Sequence, residues 1–135
     1  MRVLTFLARS FSWQPFSQTL ADAPPAHSGD VTDAVIAFIQ VEVQDEEAYA
    51  RTFRHLLKHL KWLANKKQFR RIVLHSFTHL GGENASPEFA RQFLTDMAQR
   101  LESTGYEVMA TPFGYFCSWQ IDVYGESLAK VYKAI

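Results

Sequence analysis

The 135-residue sequence holds one cysteine, Cys117, so no disulfide can form within it, and a reducing compartment is the expectation. An excess of charge is missing as well. Fourteen Lys and Arg balance fourteen Asp and Glu, which points to no particular class of partner. Nothing approaches the roughly 18 consecutive apolar residues of a transmembrane helix. The opening stretch, residues 1–9, has the flavour of a signal peptide, but its apolar run is short and Arg9 interrupts it. A buried first strand and a cytoplasmic protein without a membrane partner are therefore expected. No internal repeat or boundary is visible, and the length suits a single domain over 1–135 with its own core. Aromatic residues are plentiful at 14%, which suits either a rich core or stacking surfaces for bases.

The pattern along the chain predicts an α/β domain. Val3 to Leu7 reads as a strand, and Ser10 to Phe16 as a second. Pro24-Pro25 and Ser28-Gly29 mark a loop over 21–30. Ala34 to Ile39 is almost continuously apolar, as in a strand covered on both faces. A helix of some twenty residues is expected next, opened by Asp45, Glu46 and Glu47 at its positive dipole end and closed by Lys66 and Lys67. Tyr49, Phe53, Leu56, Leu57, Leu60 and Leu63 supply its apolar stripe. Arg71 to His75 is a short strand, giving a β-α-β unit expected to be right-handed. Ser86 as N-cap, Pro87 at the first turn and Gly105 beyond the end delimit a second helix. Strands are predicted over 106–109 and 115–124, the latter with Cys117, Trp119, Ile121 and Val123 on one face, and a short helix over 127–133. The fold class is one domain with a mixed sheet and two long helices.

Several stretches are candidates for chemistry. His75-Ser76-Phe77-Thr78-His79-Leu80-Gly81-Gly82 follows a strand, and carboxyl ends of strands in open α/β sheets are where ligands bind. His79 can act there as a base or hydrogen-bond donor, or simply be a loop histidine. Residues 110–115, Ala-Thr-Pro-Phe-Gly-Tyr, form either a plain strand connection or part of a site. Cys117 falls on an apolar face, where a free cysteine is usually a small hydrophobe rather than a nucleophile. His55 and His59 are four apart, but Leu56 stands where a zinc protease needs glutamate, so a half-exposed helical flank is expected and no metal site. Arg54, Lys58, Lys61, Lys66, Lys67, Arg70 and Arg71 make a basic stripe without an intervening acid. It suits RNA phosphates or a solvated helix face equally.

Four stretches together resemble a known family. They are residues 1–4 (Met-Arg-Val-Leu), 37–42 (Ala-Phe-Ile-Gln-Val-Glu), 77–80 (Phe-Thr-His-Leu) and 111–115 (Thr-Pro-Phe-Gly-Tyr). The chain resembles, over nearly its whole length, the N-terminal editing domain of archaeal-type threonyl-tRNA synthetase, whose fold is related to D-aminoacyl-tRNA deacylases. The resemblance implies hydrolysis of the ester joining serine to threonine tRNA, with no cofactor. Participation of the terminal adenosine's 2′-hydroxyl and of backbone groups is implied with it. By position, His79 matches the family's active-site histidine, Thr78 lines the amino-acid pocket and Val41 lies near the adenosine. Ser76, Phe77, Phe113, Gly114, Tyr115 and Phe116 are the other expected substrate contacts. Lys58, Lys61, Lys66, Lys67 and Arg70 are the expected tRNA contacts. The implied partners are the 3′ aminoacyl-adenosine end of tRNA, a second copy of the chain, and a synthetase catalytic subunit.

Two departures stand out. The family's lysine after a tyrosine pair is Cys117 here, preceded by Phe116, and a family glutamate is replaced by Lys130. Cys117 and Lys130 are therefore kept beside His79 as catalytic candidates, Lys130 because its ammonium is a conceivable substitute for the missing lysine. Two alternatives to an editing hydrolase follow. One is a tRNA-binding or assembly module that has lost the chemistry. The other is a D-aminoacyl-tRNA deacylase, against which stands the absence of that family's Gly-Pro-Val-Thr segment. The zinc ligands and aminoacylation motifs of a synthetase are also absent from these residues, so the chain reads as freestanding or as an excised domain.

Overall fold

A computed structural model describes all residues, 1–135. The elements are β1 (Arg2–Gln18), β2 (Gly29–Gln40), α1 (Tyr49–Lys67), β3 (Arg71–Ser76), α2 (Pro87–Ser103), β4 (Glu107–Ala110), β5 (Tyr115–Val123) and β6 (Lys130–Ala134). They form one sheet in the order β4-β3-β2-β1-β5, with β6 also paired to β1. β2, β3 and β4 run parallel, joined by α1 and α2 as crossovers, while β1 is antiparallel to its neighbours. The expected mixed sheet with two long helices is present.

Both helices cover one face of the sheet. Leu56, Leu60 and Leu63 of α1 and Phe93, Met97 and Leu101 of α2 bury their apolar stripes against Val35, Ala37, Ile39, Ile72 and Leu74. α1 ends at Gln68, whose left-handed backbone (φ 58°) lets its N–H return to Ala64 and Asn65 carbonyls. α2 starts as its sequence indicates: Ser86 Oγ accepts from Phe89 N–H at 3.2 Å, and Pro87 occupies the first turn. The other face carries a smaller core around Phe11, Trp13, Ile36, Phe38 and Val73.

Four expectations about local structure are corrected. The two predicted N-terminal strands are one 17-residue strand; Arg9 does not break it, because it points outward to pair with Asp122 at 2.8 Å. β1 and β5 do slip in register between Ala8 and Ser10. Consequently Cys117 packs with the small core while Val123 packs with the helix-side core, so the predicted single face of β5 is divided. Asp45 does not open α1. It lies buried in a 3₁₀ turn, accepts from Glu42 N–H at 2.7 Å, and with Glu42 faces the Met1 ammonium at 3.1 and 2.9 Å. Last, residues 127–133 are not a helix. A 3₁₀ turn at Ser127–Ala129 leads into β6, whose backbone pairs with Arg2 to Phe6 of β1. That half of β1 would otherwise be an open edge, and ladder pairing outweighs the modest helical preference of a short segment.

Candidate functional site

The parallel strands β2, β3 and β4 deliver their carboxyl ends to one edge of the sheet. There a cavity of about 530 Å³ opens. Its walls come from five places: Thr19 and Leu20 just after β1, Val41 just after β2, the β3 exit loop, the first turn of α2, and the β4–β5 turn running into β5. No Asp, Glu, Lys or Arg side chain lines it.

The β3 exit loop is held on both sides. Phe77 N–H donates to Ile39 O at 2.9 Å, and Ala85 N–H to Val41 O at 3.0 Å. Between them the buried Gln40 side chain accepts from Leu80 N–H at 2.8 Å and donates to Asn84 Oδ1 at 2.7 Å. Behind the loop Arg2 binds Glu42 at 2.8 Å, and the left-handed Gly82 (φ 73°) lies against this pair, leaving no room for a Cβ. The backbone N–H groups of Thr78 and His79 make no hydrogen bond within the chain. Opposite stands the β4–β5 turn. Gly114, at φ 86°, accepts from Thr19 N–H at 2.7 Å through its carbonyl, and Tyr115 O–H donates to Pro24 O at 2.7 Å. These bonds tie the β1–β2 connection across the turn and close the cavity on that side.

The structure brings together most of the residues singled out from the sequence. Val41, Ser76, Phe77, Thr78, His79, Phe113, Gly114, Tyr115, Phe116 and Cys117 all line the cavity. His79 is exposed, its ring 5.4 Å from that of Phe77. Cys117 is half-buried, and burial pushes its thiol up from the ordinary value. A nucleophilic cysteine needs the opposite environment.

Lys130 is not brought to the cavity. It lies on β6, outside the lining, and its Nζ donates to Gly125 O at 3.3 Å. The basic stripe follows α1 away from the cavity. Lys66, Lys67 and Arg70 flank the amino end of β3, roughly 20 Å from its carboxyl end for a six-residue strand. Lys67 is already paired with Glu126 at 2.8 Å and lies over the Tyr124 ring, and Arg70 lies over Tyr106. Lys58 is exposed and Lys61 half-buried. His59 is buried on α1 beside Thr5 rather than half-exposed, and its pKa falls to about 4, through burial first and Lys133 second.

Sequence reasoning passed over several lining or supporting residues, Thr19, Leu20, Asn84, Trp119 and the clamp Gln40, and named His75 only as the start of a candidate stretch without giving it a role. Gln40 had a readable signal, a polar residue ending an otherwise apolar strand. Thr19 and Leu20 had none, because their place depends on how β1 curls over the β4–β5 turn.

The family model described as the archaea-specific editing domain of threonyl-tRNA synthetase matches residues 1–135. Among curated relatives, the threonine–tRNA ligase of Methanopyrus kandleri is 28% identical over 137 residues, covering 100% of this chain and 22% of the relative. That of Staphylothermus marinus is 30% identical over 141 residues, again covering 100% and 22%. The chain thus spans about a fifth of the length of these relatives. A solved structure named c-Myc DNA Unwinding Element Binding Protein superposes with a TM-score of 0.68, at 13% identity, covering 100% of this chain and 99% of that one. At that identity it shows the fold alone. With the family model matched from the first residue to the last, the chain belongs to the archaea-specific editing-domain family of threonyl-tRNA synthetase.

Proposed function

We propose that this chain is an aminoacyl-tRNA deacylase that hydrolyses the ester of Ser-tRNA(Thr), a proofreading reaction. One observation carries the reading. Two stretches that carry the family resemblance are distant in sequence, yet Phe77 to His79 of one and Pro112 to Tyr115 of the other line a single cavity. A 3′ aminoacyl-adenosine end fits such a space, a concave and largely apolar cleft with a few polar groups. The free N–H groups of Thr78 and His79 are suited to hold the developing oxyanion, a role that backbone amides fill well. No carboxylate or ammonium stands in the lining, so the reaction relies on a positioned water, on the RNA's own hydroxyl, and on His79 at the loop. Selection of serine over threonine is steric: the space beside Thr78 and Phe113 must refuse one methyl group, since attraction alone distinguishes a methylene by only about 1–3 kcal/mol.

Two observations favour a second reading, a tRNA-binding module without catalysis: Cys117 is a neutral thiol where the resemblance leads one to expect lysine, and Lys130 is outside the cavity. One assay separates the readings. Purified protein is incubated with Ser-tRNA(Thr), Thr-tRNA(Thr) and a D-aminoacyl-tRNA. Selective release of serine supports editing. Binding of tRNA without release of any amino acid supports the module, and release of the D-amino acid supports a D-aminoacyl-tRNA deacylase. Phosphate contacts through Lys58, Lys61, Lys66, Lys67 and Arg70, a homodimer, and association with a synthetase catalytic subunit belong to the same proposal. A salt-dependent tRNA affinity that weakens when these residues are changed tests the first of them.

A further inference from the structure

His75 lies outside the four stretches that carry the family resemblance, yet it is built into the cavity wall. Ile72 and Leu74 of β3 face the helices, and Val73 faces away, so alternation puts His75 on the face away from the helices. The ring packs among Phe38 (4.9 Å between centroids), Trp119 (5.3 Å) and Phe77 (6.1 Å), and the residue is 5% exposed. Nδ1 is committed to Thr111 Oγ1 at 2.7 Å. Nε2 has no partner in the chain, and no buried side-chain nitrogen or oxygen is both sealed and unpartnered. Nε2 is therefore the polar atom that His75 presents to the cavity it lines.

We propose that His75 Nε2 hydrogen-bonds a neutral hydroxyl of the ligand, making His75 a specificity-determining residue of this pocket. Two features select a hydroxyl. The lining has no charged side chain, so an ammonium or phosphate placed against these rings would lack a counter-charge. The Thr111 contact also allows either tautomer. If Thr111 O–H donates to Nδ1, Nε2 carries the proton and donates. If Nδ1–H donates to Thr111, Nε2 accepts. A hydroxyl satisfies both states, whereas a donor-only or acceptor-only group satisfies one. Burial holds the imidazole pKa near 4, so the ring is neutral around pH 7 and suited to such a partner.

The inference rests on the editing reading, in which the ligand has two hydroxyls of this kind: the serine side chain and the ribose 2′-hydroxyl. The test uses a non-hydrolysable, amide-linked seryl-adenosine, its alanyl counterpart, and its 2′-deoxy counterpart. Binding to the wild type, His75→Phe and His75→Gln is measured by calorimetry, with melting curves as a folding check. The expected result is at least tenfold weaker binding of the seryl analogue to His75→Phe and partial recovery in His75→Gln. His75→Phe should also lose the preference for the seryl analogue over one of the other two. Loss against the alanyl analogue assigns the serine hydroxyl, and loss against the 2′-deoxy analogue assigns the ribose. Should His75→Phe not fold, the Nε2 resonance of ¹⁵N-histidine-labelled wild type, followed on adding the seryl analogue, replaces the variant; an unmoved resonance overturns the proposal. Unchanged affinity and preferences in a folded His75→Phe overturn the inference while leaving the editing reading intact. A wild type that binds none of the three analogues overturns both.

Discussion

His75 and His59 are both buried as neutral imidazoles with pKa values near 4, below the ordinary 6.5. Because the unfolded chain then binds protons more readily than the folded one, acid favours unfolding. The stabilisation is fully present above about pH 6.5 and is lost as pH falls towards 4. For His75 alone the loss at pH 5 is ~2 kcal/mol. Urea unfolding at pH 7.5 and pH 5 measures it, and His75→Phe should flatten part of the slope. Cys117 gives a second prediction at this scale. Its thiol is pushed up by burial, so Cys117→Ser should lower deacylation by no more than about tenfold, whereas loss of a true nucleophile costs several orders of magnitude. Lys130→Ala should leave hydrolysis within about threefold of wild type, a change too small for lost transition-state stabilisation, which brings roughly 10²-fold or more. A large loss in the same assay would restore Lys130 as a substitute for the missing lysine. Pattern alone offered His79 as a candidate, because a loop histidine after a buried strand stands out, whereas the Pro-Phe-Gly turn read as a plain strand connection until the family resemblance marked it. His75 was less visible, since a histidine ending an apolar strand reads as core until its free nitrogen is located.

Among the elements, the β3 exit loop decides whether a site exists, and Gln40 is its clamp. Gln40→Leu removes the partners of Leu80 N–H and Asn84 Oδ1 in a buried setting. The expected cost is ~1–3 kcal/mol, with faster hydrogen exchange at the Leu80 amide and reduced deacylation. Gly82→Ala should displace the same loop, because its new Cβ would collide with the Glu42 carboxylate and the Arg2 guanidinium on a backbone of positive φ. Melting temperature and deacylation should fall together. The helices and the strands β2 and β3 were legible from the sequence, since caps and apolar periodicity act locally. The C-terminal segment was not. Its residues suit a helix, and only the vacant edge of β1, more than a hundred residues earlier in the chain, makes it a strand.

On the scale of the whole molecule, the cavity exists because three parallel strands end together and a long curled β1 brings Thr19 and Leu20 across the β4–β5 turn. The exposed apolar residues Ile121 on β5 and Tyr132 on β6 lie opposite Phe11 and Leu4 of β1, on the face away from the helices, where the proposed second copy would pack. Sedimentation of the wild type against an Ile121→Glu, Tyr132→Glu variant checks this; a dimer that dissociates in the variant is the expected outcome. The family followed from short motifs that survive low overall identity, while the substrate depends on side chains that motifs do not contain. The most direct measurement is therefore the release of amino acid from Ser-tRNA(Thr) and Thr-tRNA(Thr) by the purified chain, side by side with His79→Ala. The account predicts rapid loss of serine, retention of threonine and a strong decrease in the variant. Equal release of both amino acids, or none of serine while tRNA is bound, would contradict it.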